Sequence, residues 1–484
     1  MKILLINPPF KYTVQSCQPK ILEEGLDFLP PLGLMYIASS LEKKNDCQVE
    51  ILDSQVEQLS YEQLEEEIKK RKPDVVGITT MTFTLLDVIK TAWLAKRINP
   101  NTKVILGGPH VIIYPEETIS IPEVDFVVLG EGEDVIGRLL DNINNPEELK
   151  KIKGIAFKQE DRIINTGIAE PIADLDQLPL PARHLTRFKK YFSVFSPNAT
   201  VTTMFTSRGC PYQCLFCDRP TFGKNFRAHS AQRVVEEMAQ CQQMGIKEIF
   251  IYDDTFGVDR QRVLDICRLI KETEVSIAWD IRTRVNTVDE ELLRALKEAG
   301  CQRIHYGVEA GTQKVLDVLR KGITPEMARN AVALTKRIGI QTYTYFMLGS
   351  PTETKQDILA TIKLMKELDT DYAHVSITTP FPATDLYRLA LREKVIGYDV
   401  WQEFASDPKA GFLAPIWEKE LTRTELFSLL KKAYWSFYLR PTYILKKIRQ
   451  LKSGAELLRK TKAALRLIKI PQNYEGLADQ STLH

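Results

Sequence analysis

What most constrains this chain is a rhythm that runs through it twice. Short, continuously apolar stretches alternate with segments whose apolar residues recur at helical spacing. In the first 140 or so residues the stretches are Lys2–Ile6, Val49–Leu52, Val75–Thr79, Val104–Leu106 and Phe126–Leu129. Between them, Leu34–Lys43, Tyr61–Lys70, Leu85–Ile98 and Val135–Asn142 read as helices. Strands that are apolar on both faces and separated by helices belong in a parallel sheet covered on both sides. The expectation for residues 1–145 is a doubly wound, flavodoxin-like α/β domain. Its ligand would lie outside the carboxyl ends of the strands, at the switch point.

A second series starts near residue 199. Its strands read as Thr202–Thr206, Glu248–Tyr252, Ile277–Ile281, Arg303–Val308, Gln341–Met347 and His374–Thr378. Its helices read as Gln232–Gln243, Arg260–Lys271, Glu290–Ala299, Pro325–Ile338 and Gln356–Leu368. Six βα units fall short of the eight that close a full barrel, so residues 199–420 are expected to form an open (β/α)6 barrel. Residues 146–198 read as a connector, with a hairpin over Gly154–Asn165 and an extended Leu178-Pro179-Leu180-Pro181. Residues 421–484 read as a helical, basic C-terminal region.

The loops at the strand ends of the first domain share a character. They contain Thr79 and Thr80, Gly107 and Gly108, then Gly130, Glu131 and Gly132. Each is weak alone, because such loops favour glycine. Together they suggest one rim where a bulky ligand approaches the backbone. A length of 484 residues suits two to three domains, and a net charge of +2 offers no reason to expect a nucleic-acid partner. The apolar run in Met1–Pro9 is too short for a signal peptide, and no later stretch reaches the roughly 20 apolar residues of a membrane span. The expectation is a cytoplasmic protein with reduced thiols.

Three of the eight cysteines nevertheless crowd together, in Thr206-Ser207-Arg208-Gly209-Cys210-Pro211-Tyr212-Gln213-Cys214-Leu215-Phe216-Cys217, just after the first barrel strand. Closely spaced thiolates on one loop can hold several corners of an iron–sulfur cubane. Three leave one iron free to chelate a small molecule. A zinc site would ask for a fourth ligand at matching spacing, and no second Cys/His pair follows nearby; three unrelated thiols are the other plain reading. Cys17, Cys47, Cys241, Cys267 and Cys301 lack partner spacing and read as small apolar residues.

Cys-x3-Cys-x2-Cys after a strand resembles the radical S-adenosylmethionine superfamily, and the domain in front, with Pro30-Pro31-Leu32-Gly33-Leu34, resembles its cobalamin-binding subfamily. The resemblance implies that Cys210, Cys214 and Cys217 carry a [4Fe-4S] cluster whose open iron takes S-adenosylmethionine. It places Phe216 near adenine. It places Asp253 and Asp254, in Tyr252-Asp253-Asp254-Thr255-Phe256, near the methionine amino group. Glu309, in Gly307-Val308-Glu309-Ala310-Gly311, would accept from ribose. Gly349 and Glu353, in Met347-Leu348-Gly349-Ser350-Pro351-Thr352-Glu353, would sit on the adenine side, and Arg282 or Arg284 would face the methionine carboxylate. The plain readings are a helix cap for Asp253 and Asp254, an arginine partner for Glu309, and a turn for Gly349-Ser350-Pro351.

Many cobalamin carriers present Asp-x-His-x-x-Gly after strand one, but here Asn7-Pro8-Pro9-Phe10 occupies that loop and no Asp-x-His occurs. A cobalamin without a lower imidazole ligand is implied, and a domain that has lost cobalamin is the alternative. His110, alone in the domain, suits a loop hydrogen bond or corrin contact better than cobalt ligation. The implied activity is methylation of an unactivated carbon through a 5′-deoxyadenosyl radical and methylcobalamin, with an external electron donor. The alternatives are a radical cyclase or rearrangement enzyme acting on a tetrapyrrole or lipid, and, in another class, a cobalamin-binding sensor. From Arg440 to Lys469 ten Lys/Arg face a single acid, Glu456. That tail suits either a solvated helix or a peripheral membrane contact. Ala433-Tyr434-Trp435-Ser436-Phe437-Tyr438-Leu439-Arg440-Pro441 resembles a segment of the subfamily that includes the anaerobic magnesium-protoporphyrin ester cyclase.

Overall fold

The computed structural model describes residues 1–14, 27–43, 47–160, 162–193, 195–196, 199–217 and 223–449. Cys17 and residues 450–484 of the expected helical C-terminal region lie outside the described residues. The first sheet contains β1 (Lys2–Asn7), β2 (Gln48–Asp53), β3 (Val75–Thr79), β4 (Lys103–Gly107), β5 (Phe126–Val128), β6 (Ile155–Gln159) and β7 (Arg162–Asn165). Their order is β2-β1-β3-β4-β5-β6-β7. The first five are parallel, which is the doubly wound arrangement expected. The topology reverses between β1 and β3, so the rim expected to hold a ligand opens there. Both sheet faces are apolar, one packing on Leu34, Ala38 and Leu139, the other on Leu64, Val88 and Ala92.

The hairpin expected in the connector does form, but it does not stand apart. β6 pairs antiparallel with β5, so the hairpin extends the first sheet. A short β5 with an open edge is thereby covered. Further on, Arg183 fastens the connector to the barrel. Its guanidinium donates to the Thr202 hydroxyl (3.1 Å), the Thr203 carbonyl (2.7 Å) and Glu237 (2.6 Å), with both charged side chains about 1% exposed.

The second sheet holds six parallel strands, β8 (Val201–Met204), β11 (Glu248–Ile251), β12 (Ala278–Thr283), β13 (Cys301–Glu309), β14 (Gln341–Leu348) and β15 (Tyr372–Ile377), paired in that order. Between β8 and β11 lies a two-residue ribbon, β9 (Ser207–Arg208) with β10 (Arg227–Ala228). Alternate residues of β14 and β15 are buried against helices, while Tyr343, Tyr345, Met347, Tyr372, His374 and Ser376 on the inward face stay partly exposed. The lumen is open.

An open barrel leaves an unpaired edge on its last strand. Here the helix Arg423–Tyr438 covers it with phenols. Tyr434 Oη donates to the Val375 carbonyl (2.9 Å) and accepts from its amide (3.1 Å), and Tyr438 Oη does the same at Ala373 (2.7 and 3.0 Å). The aromatic Ala433–Pro441 segment thus has a structural task. Among the described residues, no helix is long and apolar enough to cross a membrane.

Candidate active site

The cysteine loop leaves β9 and returns through β10, so the ribbon closes its base. Ser207 pairs with Ala228 and Arg208 with Arg227. Within the loop, Leu215 is pinned by backbone bonds on both sides, its amide to the Leu319 carbonyl (2.9 Å) and its carbonyl to the Leu386 amide (2.8 Å). Cys210 and Cys217 are partly exposed, and Cys214 is buried. Among the described residues no three His, Cys, Asp or Glu side chains converge on one point, as a single ion would require. A cubane asks for something different, because each thiolate holds its own iron. Two polar groups already face the sulfurs: Arg284 Nη1 lies 3.5 Å from Cys214 Sγ, and the Thr255 hydroxyl 3.6 Å from Cys210 Sγ. Donors of this kind suit a thiolate-bound cluster and tune its potential.

Around that loop the structure redistributes the expected roles. Asp253 is fully buried, and its carboxylate accepts from the amides and hydroxyls of Thr206 and Ser207 (2.6 Å from the Thr206 amide). It shapes the strand end that launches the cysteine loop, whereas its neighbour Asp254 is exposed. The carboxyl of Asp254 is nevertheless partly enclosed by protein. Its pKa is raised, first by this enclosure and then by the charge of Asp253.

Glu309 sits at a register shift in β13 with φ of 69°, a conformation uncommon outside glycine, and pairs with Lys321 at 2.7 Å. Gly307 makes room for this pair, since a Cβ there would meet Glu309 Oε1 and lie 2.7 Å from Lys321 Nζ. Lys321 Nζ also lies 5.7 Å from the centre of the Phe216 ring. Lys321 carries no motif in the sequence and was not anticipated. Arg284, rather than Arg282, reaches the cysteine loop, and its guanidinium also stacks on Tyr212 at 3.8 Å.

Glu353 turns away from the mouth. It is fully buried and accepts from the amides of Gly349 (2.7 Å) and Ser350 (2.8 Å), which folds the loop after β14 into its turn. Burial pushes its carboxyl up to about 8, against the pull of those two amides. A carboxyl that binds its proton more tightly when folded loses stability as pH rises from the ordinary 4.5 toward about 8. Glu353→Gln keeps an oxygen that can accept from both amides. Its melting temperature should therefore depend less on pH across that window than the wild type's does. An identical slope in both proteins would show that Glu353 is ionised in the fold.

The cobalamin rim faces the same loop. Thr79, Gly107, Gly108, Gly130 and Gly132 stay partly exposed there, whereas Thr80 and Glu131 are buried. Some of the rim glycines answer to protein neighbours: Gly108 has φ of +114°, and a Cβ on it would lie 2.8 Å from the Thr80 carbonyl. What the rim offers a large planar ligand is apolar surface, since Phe10 and Met81, from the loops flanking the switch point, are 59% and 45% exposed. The loop after β1 is held by Asp53, which accepts from the Asn7 side chain at 2.8 Å, and by Asp87, which accepts from the Tyr12 amide at 3.0 Å. His110 is fully buried, shares a hydrogen bond with Thr82 (3.0 Å), and has its pKa lowered to about 4 by burial. It lies in the short helix Pro109–Ile113 that follows β4.

Glu131 is engaged elsewhere. Arg208 reaches Glu131 at 3.1 Å and Glu133 at 2.5 Å, and Arg227 also binds Glu131, at 3.0 Å through Nη1. Two arginines of the ribbon below the cysteines are thereby clamped to the rim of the first domain. Across the loop, Leu215 and Phe216 join Val14, Leu85, Tyr114 and Trp401 in one apolar cluster. Polar and apolar contacts together set the rim against the barrel mouth.

Comparison with known proteins agrees with this construction. Residues 204–365 match the family model of the radical SAM superfamily, and residues 21–140 that of the B12 binding domain. The chain is 38% identical over 452 residues to an uncharacterized methyltransferase of Pyrococcus horikoshii, covering 93% of this chain and 95% of the relative. It is 29% identical over 425 residues to the anaerobic magnesium-protoporphyrin IX monomethyl ester cyclase of Rubrivivax gelatinosus, covering 86% and 75%. Among solved structures, the fold is shared with the cobalamin-dependent S-adenosylmethionine radical enzyme OxsB with aqua-cobalamin and S-adenosylmethionine bound. There the TM-score is 0.72 at 17% identity, covering 96% of this chain and 72% of that one. It is also shared with the radical S-adenosylmethionine methyltransferase TsrM from Kitasatospora setae, at TM-score 0.68 and 21% identity, covering 82% and 76%. The two domains together call for a [4Fe-4S] cluster, S-adenosylmethionine and cobalamin. With its cysteine loop at the mouth of an open barrel and a B12-binding domain clamped above it, the chain belongs to the radical S-adenosylmethionine superfamily, in the branch that carries cobalamin.

Proposed function

We propose that this enzyme methylates an unactivated carbon of a small molecule. The observation that carries the reading is the clamp of Arg208 and Arg227 onto Glu131 and Glu133, which sets the cysteine loop against the cobalamin rim over one mouth. When bound, the cluster supplies the electron that cleaves S-adenosylmethionine, and cobalamin supplies the methyl group. The chain's own residues bind and orient. Cys210, Cys214 and Cys217 hold the cluster. Arg284 and Lys321 are the cations placed to receive the methionine carboxylate, and Asp254 is the acid placed for its ammonium. Phe216 and the loop at Gly349 flank the adenine. Glu309, held by Lys321, is placed for the ribose. Thr79, Gly107, Gly108, Gly130 and Gly132, with Phe10 and Met81, would cradle the corrin. The apolar cluster around Leu215, Tyr114 and Trp401 keeps water from the mouth. A lipid or tetrapyrrole body suits the aromatic lumen.

The test is anaerobic reconstitution with iron, sulfide and hydroxocobalamin, followed by assay with candidate substrates. 5′-Deoxyadenosine and S-adenosylhomocysteine formed together support methylation. 5′-Deoxyadenosine alone, with substrate consumed, would replace it by a cyclase or other radical rearrangement.

A further inference from the structure

Below the mouth, the open lumen contains an arginine that the reading above leaves unused. Arg282 projects inward from β12, at the level of His305 on β13, its register partner. Arg284, the cation at Cys214, lies two residues nearer the mouth, which on a strand is about 6–7 Å. Arg282 is therefore one layer deeper than the groups gathered around the cysteines. Its guanidinium lies flat on the Tyr252 ring, 3.6 Å from the centroid, with the phenols of Tyr252 and Tyr345 as polar neighbours.

A guanidinium offers five donors in a planar fork that matches oxyanions. Arg282 forms no ion pair among the described residues, and its Nη1 is buried without a hydrogen-bond partner. Two neighbouring cations are matched. Arg303 pairs with Asp280 at 3.1 Å, and Lys321 with Glu309 at 2.7 Å. Asp280 already meets Arg303 and, through the same Oδ2, His305 Nε2 at 3.1 Å, and it makes no hydrogen bond to Arg282. A buried polar group without a partner is costly, and it persists where a ligand or a function repays that cost. Tyr343, Tyr345 and His374, on the inward faces of β14 and β15, stay partly exposed.

We propose that this layer binds the anionic group of the substrate, a carboxylate or a phosphate, with Arg282 as its anchor and the Tyr252 and Tyr345 hydroxyls beside it. The rest of the substrate then extends up the lumen and presents its reacting carbon at the mouth. This specifies the substrate class for the methyl-transfer reading and rests on it.

The test is calorimetric titration of full-length protein, carrying cluster and cobalamin and saturated with S-adenosylhomocysteine, using inorganic phosphate and, separately, benzoate. Saturation fills the methionine carboxylate site, so heat reports a second anion site. Saturable binding of at least one ion is expected. Arg282→Gln should weaken it about tenfold or more, as expected for loss of charge-assisted hydrogen bonds. Arg282→Lys should restore part of it. Binding of phosphate alone identifies a phosphorylated substrate, and of benzoate alone a carboxylated one. Three results would overturn the proposal: no saturable binding of either ion, equal affinity in Arg282→Gln, or a loss of S-adenosylhomocysteine affinity as large as the loss for the ion. The titration involves no turnover. An anion site on a protein that makes no S-adenosylhomocysteine would therefore leave this proposal standing while the methyl-transfer reading fell.

Discussion

Replacing Cys210, Cys214 or Cys217 by serine should abolish both 5′-deoxyadenosine and S-adenosylhomocysteine formation and strip the protein of its charge-transfer colour and most of its iron. The expectation follows from ligand count. In the proposed site three thiols on one loop would hold the cluster, each on a different iron. Losing one exposes a second corner to solvent. Serine nearly preserves the side chain's shape, so a fold held by the Leu215 backbone bonds to Leu319 and Leu386 should survive, and unchanged far-ultraviolet circular dichroism would confirm it. Any of the three variants retaining full iron and turnover would remove the cluster from that loop. By contrast, Cys241 and Cys267 pack on helices in the barrel core, where burial pushes their thiols up to about 11 and about 12. Serine there should leave the iron content intact.

Arg208→Met should cost on the order of 3–5 kcal/mol of stability, the usual penalty for removing one partner of a buried ion pair. Arg208 is 4% exposed, and Glu131 and Glu133 are 5% and 8% exposed. Methionine fills much of the volume but leaves Glu133 without its cation and Glu131 with Arg227 alone. Arg208→Lys should recover only part of the loss, because a single ammonium cannot fork onto two carboxylates. Chemical denaturation reads the stability. The ratio of 5′-deoxyadenosine to methylated product reads the alignment of loop and rim, and should rise in both variants. A wild-type denaturation midpoint with a wild-type ratio in Arg208→Met would show that the clamp neither stabilises nor aligns.

The comparison of sequence with structure is most instructive where the two part. Asp253 and Asp254 are adjacent acids in one motif, yet one is enclosed by Thr206 and Ser207 while the other is exposed. Both lie past the end of β11, and only the neighbouring Thr206–Ser207 segment decides which carboxylate is enclosed. Arg282 and Arg284 share a face, so nothing local could say which of them meets Cys214. Lys321 stands in no motif. It matters because β13 carries a register shift at Glu309 and the following chain folds back over it. Glu131 reads as a ligand-rim residue until its long-range partners at positions 208 and 227 are seen.

Local pattern alone determined the parallel strands of both βα series, their order along the chain and the cysteine loop after the first barrel strand, because apolar periodicity and close thiol spacing act over a few residues. Only the tertiary structure decided which acids and cations face the mouth, which hold the two domains together, and which one remains unpaired in the lumen. Those outcomes depend on charges brought together from 75 or 77 positions apart, as in Arg208 with Glu133 and Glu131. A buried charge is defined by its neighbours, and its neighbours exist only once the chain has folded.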